Sequence, residues 1–199
     1  MELLVGAAWL WCAFRFGANF TGLRVAVFAS VLIGIAITDA RHYVIPDGYT
    51  ITGLLWTLAT AIVVLFTNPV HAYSSPFSGP YDALIGACVG AGAISITGWL
   101  GEASLKKEAM GFGDVTLMAF VGAALGPGRA LLTIFIGAAI GAAVFLLIVL
   151  PVMKIRGRGK SEPGTLPLVP FGVFLAPAAF VTLLWGHDMI SWYLKFTGL

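Results

Sequence analysis

Seven long apolar runs dominate this sequence and restrict it to a bundle of membrane helices. They cover residues 3–16, 23–38, 50–67, 82–101, 114–126, 129–153 and 170–185. A helix needs about 20 mostly apolar residues to cross a bilayer, and the first and fifth runs are short, so six or seven spans are predicted. Only 10% of the residues are charged, against roughly 25% in soluble domains. We therefore expect an all-α, polytopic transmembrane bundle of six to seven spans.

The chain has no internal repeat or low-complexity tract, so one membrane-embedded domain over residues 1–199 is expected. Residues 154–169 combine basic residues with glycine and proline and are expected to form a flexible cytoplasmic loop. If the N-terminus is cytoplasmic, the inner loops carry seven Lys and Arg residues and the outer side carries four. The positive-inside rule favours that orientation. The basic residues are scattered and the net charge is only +2, so no nucleic-acid partner is expected.

Two aspartates lie at the ends of apolar runs, where a charge is costly. Asp39 follows the second run and Asp114 opens the fifth, and a carboxylate at membrane depth costs about 2.5–3.5 kcal/mol on insertion scales. The predicted topology places both on the cytoplasmic side. Two carboxylates held close in a poorly solvated site cannot both ionise, so they share one proton. Such a pair can activate water by general acid–base chemistry, with no metal or cofactor required.

Each aspartate also has a structural interpretation. Asp39 could pair with Arg41 or His42, which follow it in the chain. Asp114 could cap its helix, because Asp is favoured at that position. Two glycines, Gly111 and Gly113, flank Phe112 just ahead of Asp114. Because they remove side-chain bulk beside the acid, we expect room there for an extended substrate.

Two further segments contain residues that break or start regular structure. Pro46-Asp47-Gly48 has the composition of a turn, so Asp47 is interpreted as a turn residue, with a substrate contact as the alternative. Pro170-Phe171-Gly172 lies where the last span begins. It either marks that boundary or produces a loosened helix end beside the site.

Other catalytic patterns are missing from the sequence. It contains no HExxH zinc motif and no GxSxG nucleophile turn. Cys12 and Cys88 fall inside apolar runs without CxxC spacing, so neither a disulfide framework nor a thiolate metal site is indicated. The GxxxG spacings are typical of close helix packing; they occur at Gly86 and Gly90, at Gly122 and Gly126, and at Gly137 and Gly141.

Three segments resemble the peptidase domain of bacterial type IV prepilin peptidases, which are GxGD-type membrane aspartic proteases. They are residues 39–50, with an Asp followed by Ile-Pro-Asp, residues 108–115, which contain Gly-Phe-Gly-Asp, and residues 170–176, Pro-Phe-Gly-Val-Phe-Leu-Ala. The resemblance implies that Asp39 and Asp114 form the catalytic dyad. It also implies a group of residues that bind substrate or shape the site: Gly111, Phe112, Gly113, Pro46, Asp47, Pro170, Phe171 and Gly172.

The resemblance implies a substrate and a location as well. The expected reaction is cleavage of the leader peptide of type IV prepilins or pseudopilins at the cytoplasmic face of the bacterial inner membrane. The apolar N-terminal helix of such a substrate would enter from the lipid. Many members of the family carry an N-terminal cytoplasmic domain with cysteine pairs that methylates the new N-terminus. Since this sequence has no CxxC, we expect peptidase activity without N-methyltransferase activity.

Other classes of membrane protein remain as alternatives. A small proton- or cation-coupled transporter could use the same carboxylates, but transport carboxylates tend to lie near the middle of the membrane. An inactive assembly scaffold would not need both acids. A protease of the presenilin kind would have Tyr-Asp at the first site, where this chain has Thr38-Asp39, and would lack the Ile-Pro-Asp segment.

Overall fold

The computed structural model describes residues 2–67, 76–105, 110–149, 151–152 and 170–198. Within these residues the chain forms seven α-helices and no β-strand, which confirms the all-α prediction. The helices are α1 (Glu2–Phe16), α2 (Phe20–His42), α3 (Asp47–Thr67), α4 (Pro80–Leu105), α5 (Phe112–Leu125), α6 (Pro127–Val144), extended by a π-helical segment (Phe145–Val149), and α7 (Gly172–Thr197). The predicted flexible loop at 154–169 lies outside the described residues.

The helices differ in length in the way the apolar runs predicted. Five are long and apolar enough to cross a membrane: α2, α3, α4, α6 with part of its extension, and α7. The helices α1 and α5, which correspond to the first and fifth apolar runs, have only 15 and 14 residues, as the short runs predicted. At 1.5 Å per residue, α5 reaches only about 21 Å, less than the roughly 30 Å of a hydrocarbon core.

The short helix α5 occupies the centre of the bundle. It contacts α3, α4, α6 and α7, and most of its residues after the first turn and a half are buried. A helix surrounded by protein need not match the thickness of the bilayer, because its polar backbone ends are not exposed to lipid. The bundle therefore buries α5 from Leu117 onward, and Asp114 lies in its half-buried first turn.

Glycines bring neighbouring helices into backbone contact. A Cβ atom built at Gly86 of α4 would overlap the carbonyl oxygen of Gly122 of α5, and the converse is also true. A Cβ at Gly137 of α6 would lie 2.9 Å from Leu175 of α7, closer than ordinary contact. Small residues allow this kind of approach in membrane bundles. The packing role predicted from the GxxxG spacings is confirmed at these positions.

Loop contacts identify which helix ends lie together. Ile45, between α2 and α3, packs against Gly113 at the start of α5 and Gly172 at the start of α7. Ser78, ahead of α4, donates its N–H to the carbonyl oxygen of Ala124, at the end of α5, over 2.8 Å. The end of α2 therefore lies at the same end of the bundle as the starts of α5 and α7.

A buried arginine lies toward the opposite end. Arg24 of α2 is 4% exposed, and its Nε donates to Oγ1 of Thr60 over 3.1 Å. The guanidinium carbon lies 4.3 Å from the ring centre of Phe77. The terminal nitrogen Nη2 is buried and finds no hydrogen-bond acceptor in the described part of the chain. The sequence pattern did not predict this burial, since arginines near helix ends usually reach the interface.

Candidate active site

Asp39 lies in the last turn of α2, with 5% of its surface exposed. Asp39 was expected at the end of its helix, directly after the apolar run 23–38, and α2 continues three residues beyond it to His42. The helix stops at Tyr43, which adopts the left-handed conformation with φ of 55° and donates its N–H to the carbonyl oxygen of Asp39. A carboxylate in the last turn faces the negative end of its own helix dipole. Asp39 therefore needs hydrogen-bond donors from another element.

The N-terminus of α7 supplies those donors. The backbone N–H of Val173 donates to Oδ2 of Asp39 over 3.2 Å, and the N–H of Gly172 also interacts with this carboxylate. The first N–H groups of a helix have no acceptor within the helix and lie at the positive end of its dipole. The start of α7 therefore holds the Asp39 carboxylate as helix N-termini hold anions.

Gly172 makes this close approach possible. A Cβ atom at this position would lie 2.8 Å from Oδ2 of Asp39 and 3.0 Å from Cδ1 of Ile45. Phe171 stands at the cap of α7, and its carbonyl oxygen accepts the N–H of Leu175 over 3.1 Å. Pro170 precedes it. The predicted segment 170–172 thus begins α7 beside Asp39, and Gly172 is its member in contact with the carboxylate.

Asp114 is the third residue of α5. Gly111, with φ of −78° and ψ of 153°, occupies the N-cap position of α5. Asp114 is therefore not the N-cap residue. The N–H of Gly111 interacts with the Asp114 carboxylate, as an acid at the third position of a helix commonly allows. The side chain is half-buried. Asp114 follows Gly113, which packs against Ile45, and Ile45 also packs against Gly172 beside Asp39, so the two acids lie at the same end of the bundle.

Ile45 lies between the elements that carry the two aspartates. It is 8% exposed, and its Cβ would lie 2.8 Å from a Cβ built at Gly113. Ile45 therefore fills the space beside Gly113 in which we expected an extended substrate to lie. Ile45 was not among the predicted site residues. The sequence feature that could have identified Ile45 is an apolar side chain in a connection between helices that was otherwise expected to be polar.

Three other predicted residues are not in this cluster. Phe112 is 73% exposed. Asp47 is exposed and is the first residue of α3, so the prediction that it lies in a turn is wrong. Pro46 precedes it, and its carbonyl oxygen accepts the N–H of Tyr49 over 3.1 Å, as at a helix start. Across the described residues, no hydrogen bond joins these three to either carboxylate.

The reversal after α2 also differs from the prediction. The positive φ falls on Tyr43, not on Gly48, which is helical in the first turn of α3. An acid at the start of a helix faces the positive end of the dipole, so the sequence Asp47-Gly48 is compatible with a helix start. The chain therefore turns before Ile45 and not after it.

The arrangement can carry out acid–base chemistry on a substrate. Backbone N–H groups interact with the carboxylates of Asp39 and Asp114. In the described part of the chain, no cationic side chain is found to interact with either carboxylate. Two carboxylates held close together can share a proton, and one can then accept a proton from water while the other donates a hydrogen bond. Within the same residues, no group of three His, Cys, Asp or Glu side chains could hold a metal ion.

Comparison with known proteins identifies the family of this chain. The model of the type IV leader peptidase family matches residues 26–147. Prepilin leader peptidase/N-methyltransferases of Xanthomonas campestris pv. campestris and Stutzerimonas stutzeri are 30% and 33% identical over the full 199 residues, which cover 62% of each relative. That of Pseudomonas aeruginosa is 32% identical over 94% of this chain and 57% of its own length. No solved structure matches the chain.

The chain therefore spans less than two thirds of the length of these relatives. The expectation about methyl transfer stays a prediction. The matched region, residues 26–147, includes Asp39, Ile45 and Asp114 and covers more than half of the chain. The chain thus belongs to the type IV leader peptidase family, as the resemblance of its motifs predicted.

Proposed function

We propose that this protein is an aspartic endopeptidase that cleaves the leader peptide of type IV prepilins or pseudopilins. Asp39 and Asp114 are its catalytic dyad. The observation that carries this proposal is that two acids from distant parts of the chain lie at one end of the bundle, where Ile45 packs against both Gly113 beside Asp114 and Gly172 beside Asp39. Membership of the leader peptidase family supports the substrate class.

The proposed reaction needs one water molecule and the proton that the carboxylates share. The ionised carboxylate takes a proton from water, and the water oxygen attacks the carbonyl carbon of the scissile bond. The protonated carboxylate donates a hydrogen bond to the carbonyl oxygen, and a proton then passes to the leaving amine as the C–N bond breaks. Because the pair titrates as a unit, acid and base are roles of the dyad as a whole.

We place the dyad at the cytoplasmic face of the bacterial inner membrane. The support is the excess of Lys and Arg in the loops at that face, seven against four. A cysteine at Gly48, in a variant without Cys12 and Cys88, should react with an impermeant maleimide only after the cells are opened. Labelling of intact spheroplasts would put the dyad on the outer face instead.

The dyad is tested directly with purified protein and a prepilin-like substrate. This substrate has a basic leader and a glycine before an apolar helix. Asp39→Asn and Asp114→Asn should each abolish cleavage while the thermal unfolding midpoint stays near that of the wild type. Asp188→Asn is a matched control, because Asp188 is exposed near the C-terminal end of α7. Substantial cleavage by either dyad variant would refute the proposal.

Asp47→Asn separates the dyad from the neighbouring acid. Asp47 is exposed at the start of α3, and an acid at that position stabilises a helix by about 0.3–1 kcal/mol. We expect a modest decrease in kcat/KM with this variant. A complete loss would mean that Asp47 takes part in the reaction.

The transporter alternative receives no support from the geometry. A coupled transporter would place its carboxylates near the middle of the bundle, often in broken helices. Asp39 and Asp114 instead lie in a last and a first helical turn, at one end of the bundle.

A further inference from the structure

An apolar groove of about 350 Å³ lies between α2 and α7, with Ala8 of α1 as a further part of its lining. From α2 it is lined by Ala29, Leu32, Ile33 and Ala36. These positions follow the spacing of a single helical face, and the stripe they form extends about 10 Å along the helix axis. Ala29 and Leu32 are buried at the floor of the groove, whereas Ile33 and Ala36 are half-buried.

The opposite wall repeats the same pattern on α7. Val173, Ala176, Pro177 and Phe180 have the same spacing as the four residues on α2, and every residue that lines the groove is apolar. Pro177 is exposed, so this wall opens to the surroundings of the bundle. In the bilayer those surroundings are lipid, and the groove can be entered sideways from the membrane.

The groove leads to the Asp39 carboxylate. Ala36 is three residues before Asp39, so the two lie on the same side of α2. On the other wall, Val173 donates its N–H to Oδ2 of Asp39. The two helices that contribute most of the groove lining therefore hold Asp39, one member of the proposed dyad, at its end.

We propose that this groove binds the apolar N-terminal helix of the substrate and places the scissile bond at Asp39. This inference rests on the proposed function and adds the docking site of the substrate. The alanines at positions 29, 36 and 176 allow a helix backbone to approach closely. The acidic end of the groove complements a basic leader, which must lie just before the apolar helix. A lipid acyl chain would fit the apolar lining but would gain nothing from the acids.

Photo-cross-linking tests occupancy without requiring cleavage. A benzoylphenylalanine replaces Ile33 or Ala36 in the full chain carrying Asp114→Asn, and the protein is irradiated in liposomes with a prepilin-like substrate. We expect both positions to capture the apolar helix of the substrate, and we expect the same probe at Ala139 to capture little. Ala139 is exposed on α6 and does not line the groove. Equal capture at all three positions, or capture of lipid alone, would overturn the proposal.

Kinetics with two substrates provide the second test. Ala36→Leu fills the groove, and we expect it to raise KM for the helix-bearing substrate by roughly tenfold, a loss of ground-state binding. For a short peptide that spans the scissile bond but lacks the apolar helix, we expect Ala36→Leu to change KM far less than for the helix-bearing substrate. Ala139→Leu is the matched control for both substrates.

The outcomes separate this inference from the proposed function. If the wild type cleaves neither substrate, the peptidase proposal fails, and the cross-linking result stands independently. An unchanged KM for the helix-bearing substrate with Ala36→Leu would overturn the docking site. If that variant loses activity toward both substrates, the dyad has been distorted, and capture at Ile33, one turn further from Asp39, then decides the question.

Discussion

The Oδ2 atom of Asp39 lies 3.2 Å from the backbone nitrogen of Val173, which donates a hydrogen bond to it. This contact joins the end of the second helix to the start of the seventh. Asp39 lies at the negative end of the α2 dipole, which is unfavourable for a carboxylate. The start of α7, at the positive end of its own dipole, supplies the hydrogen-bond donors. The position of Asp39 therefore depends on how closely α7 can approach, and that depends on the absence of a side chain at Gly172.

Gly172→Ala should impair catalysis more than folding. The new methyl group would lie 2.8 Å from Oδ2 of Asp39, so either the carboxylate or the start of α7 must move. Since a misplacement of about 1 Å can reduce rates by about 100-fold, we expect a loss of that order in kcat/KM for the short peptide substrate. Gly48→Ala is the matched control, because nothing lies within 4 Å of its Cβ position. Equal activity of the two variants would contradict this role of Gly172.

Ile45→Ala should loosen the contact between the starts of α5 and α7. Truncation of a buried isoleucine costs about 2–5 kcal/mol, against about 0.5–1.5 kcal/mol for Ile→Val. Because Ile45 packs against both Gly113 and Gly172, we expect a lower unfolding midpoint and a lower kcat with alanine. Valine should retain most of both. An alanine variant with wild-type kcat would show that the packing of Ile45 does not position the carboxylates.

Gly86→Ala should destabilise the bundle far from the site. Its Cβ would overlap the carbonyl oxygen of Gly122, and overpacking of this kind costs typically about 1–3 kcal/mol. The measurement is the unfolding midpoint in a detergent titration. Gly92→Ala, on the same helix with no atom within 4 Å of its Cβ, should leave stability unchanged or raise it, because alanine favours the helix. Equal effects of the two substitutions would contradict backbone contact between α4 and α5.

Arg24→Met should leave the protein as stable as before or more stable. The guanidinium is buried, its Nε donates to Thr60, and its Nη2 finds no acceptor in the described part of the chain. Replacing a buried, incompletely paired charge by an apolar residue of similar volume is often neutral or stabilising by about 1–4 kcal/mol. Thermal unfolding in detergent measures the change. A marked decrease in the midpoint would mean that the contacts with Thr60 and Phe77 outweigh the desolvation of the charge.

Sequence patterns predicted the helices because apolar runs follow directly from the requirement to bury the backbone in lipid. They also predicted that Asp39 and Asp114 lie near helix ends. The exact ends were missed because the segment 39–42 contains three polar residues, Asp39, Arg41 and His42, yet continues α2 as a helix. Hydropathy reports where lipid contact ends, and a helix can extend beyond that point.

The contacts inside the site could not be predicted from local patterns. Val173 and Asp39 are 134 residues apart in the chain, and their contact depends on how α7 packs against α2. The packing of Ile45 into the space beside Gly113 is likewise a tertiary contact. Local composition identified glycines that permit a close approach, but it did not identify which residue approaches them.

The central position of the short α5 has a consequence for the membranes in which the protein can work. Acyl chain length acts on helices that face lipid, by changing their tilt or the local thickness of the bilayer. Because α5 contacts α3, α4, α6 and α7 and is buried from Leu117 onward, a thicker or thinner bilayer acts on it through these neighbouring helices. We therefore expect the buried part of α5 to stay packed among them while the long helices adjust their tilt to lipids of different chain length.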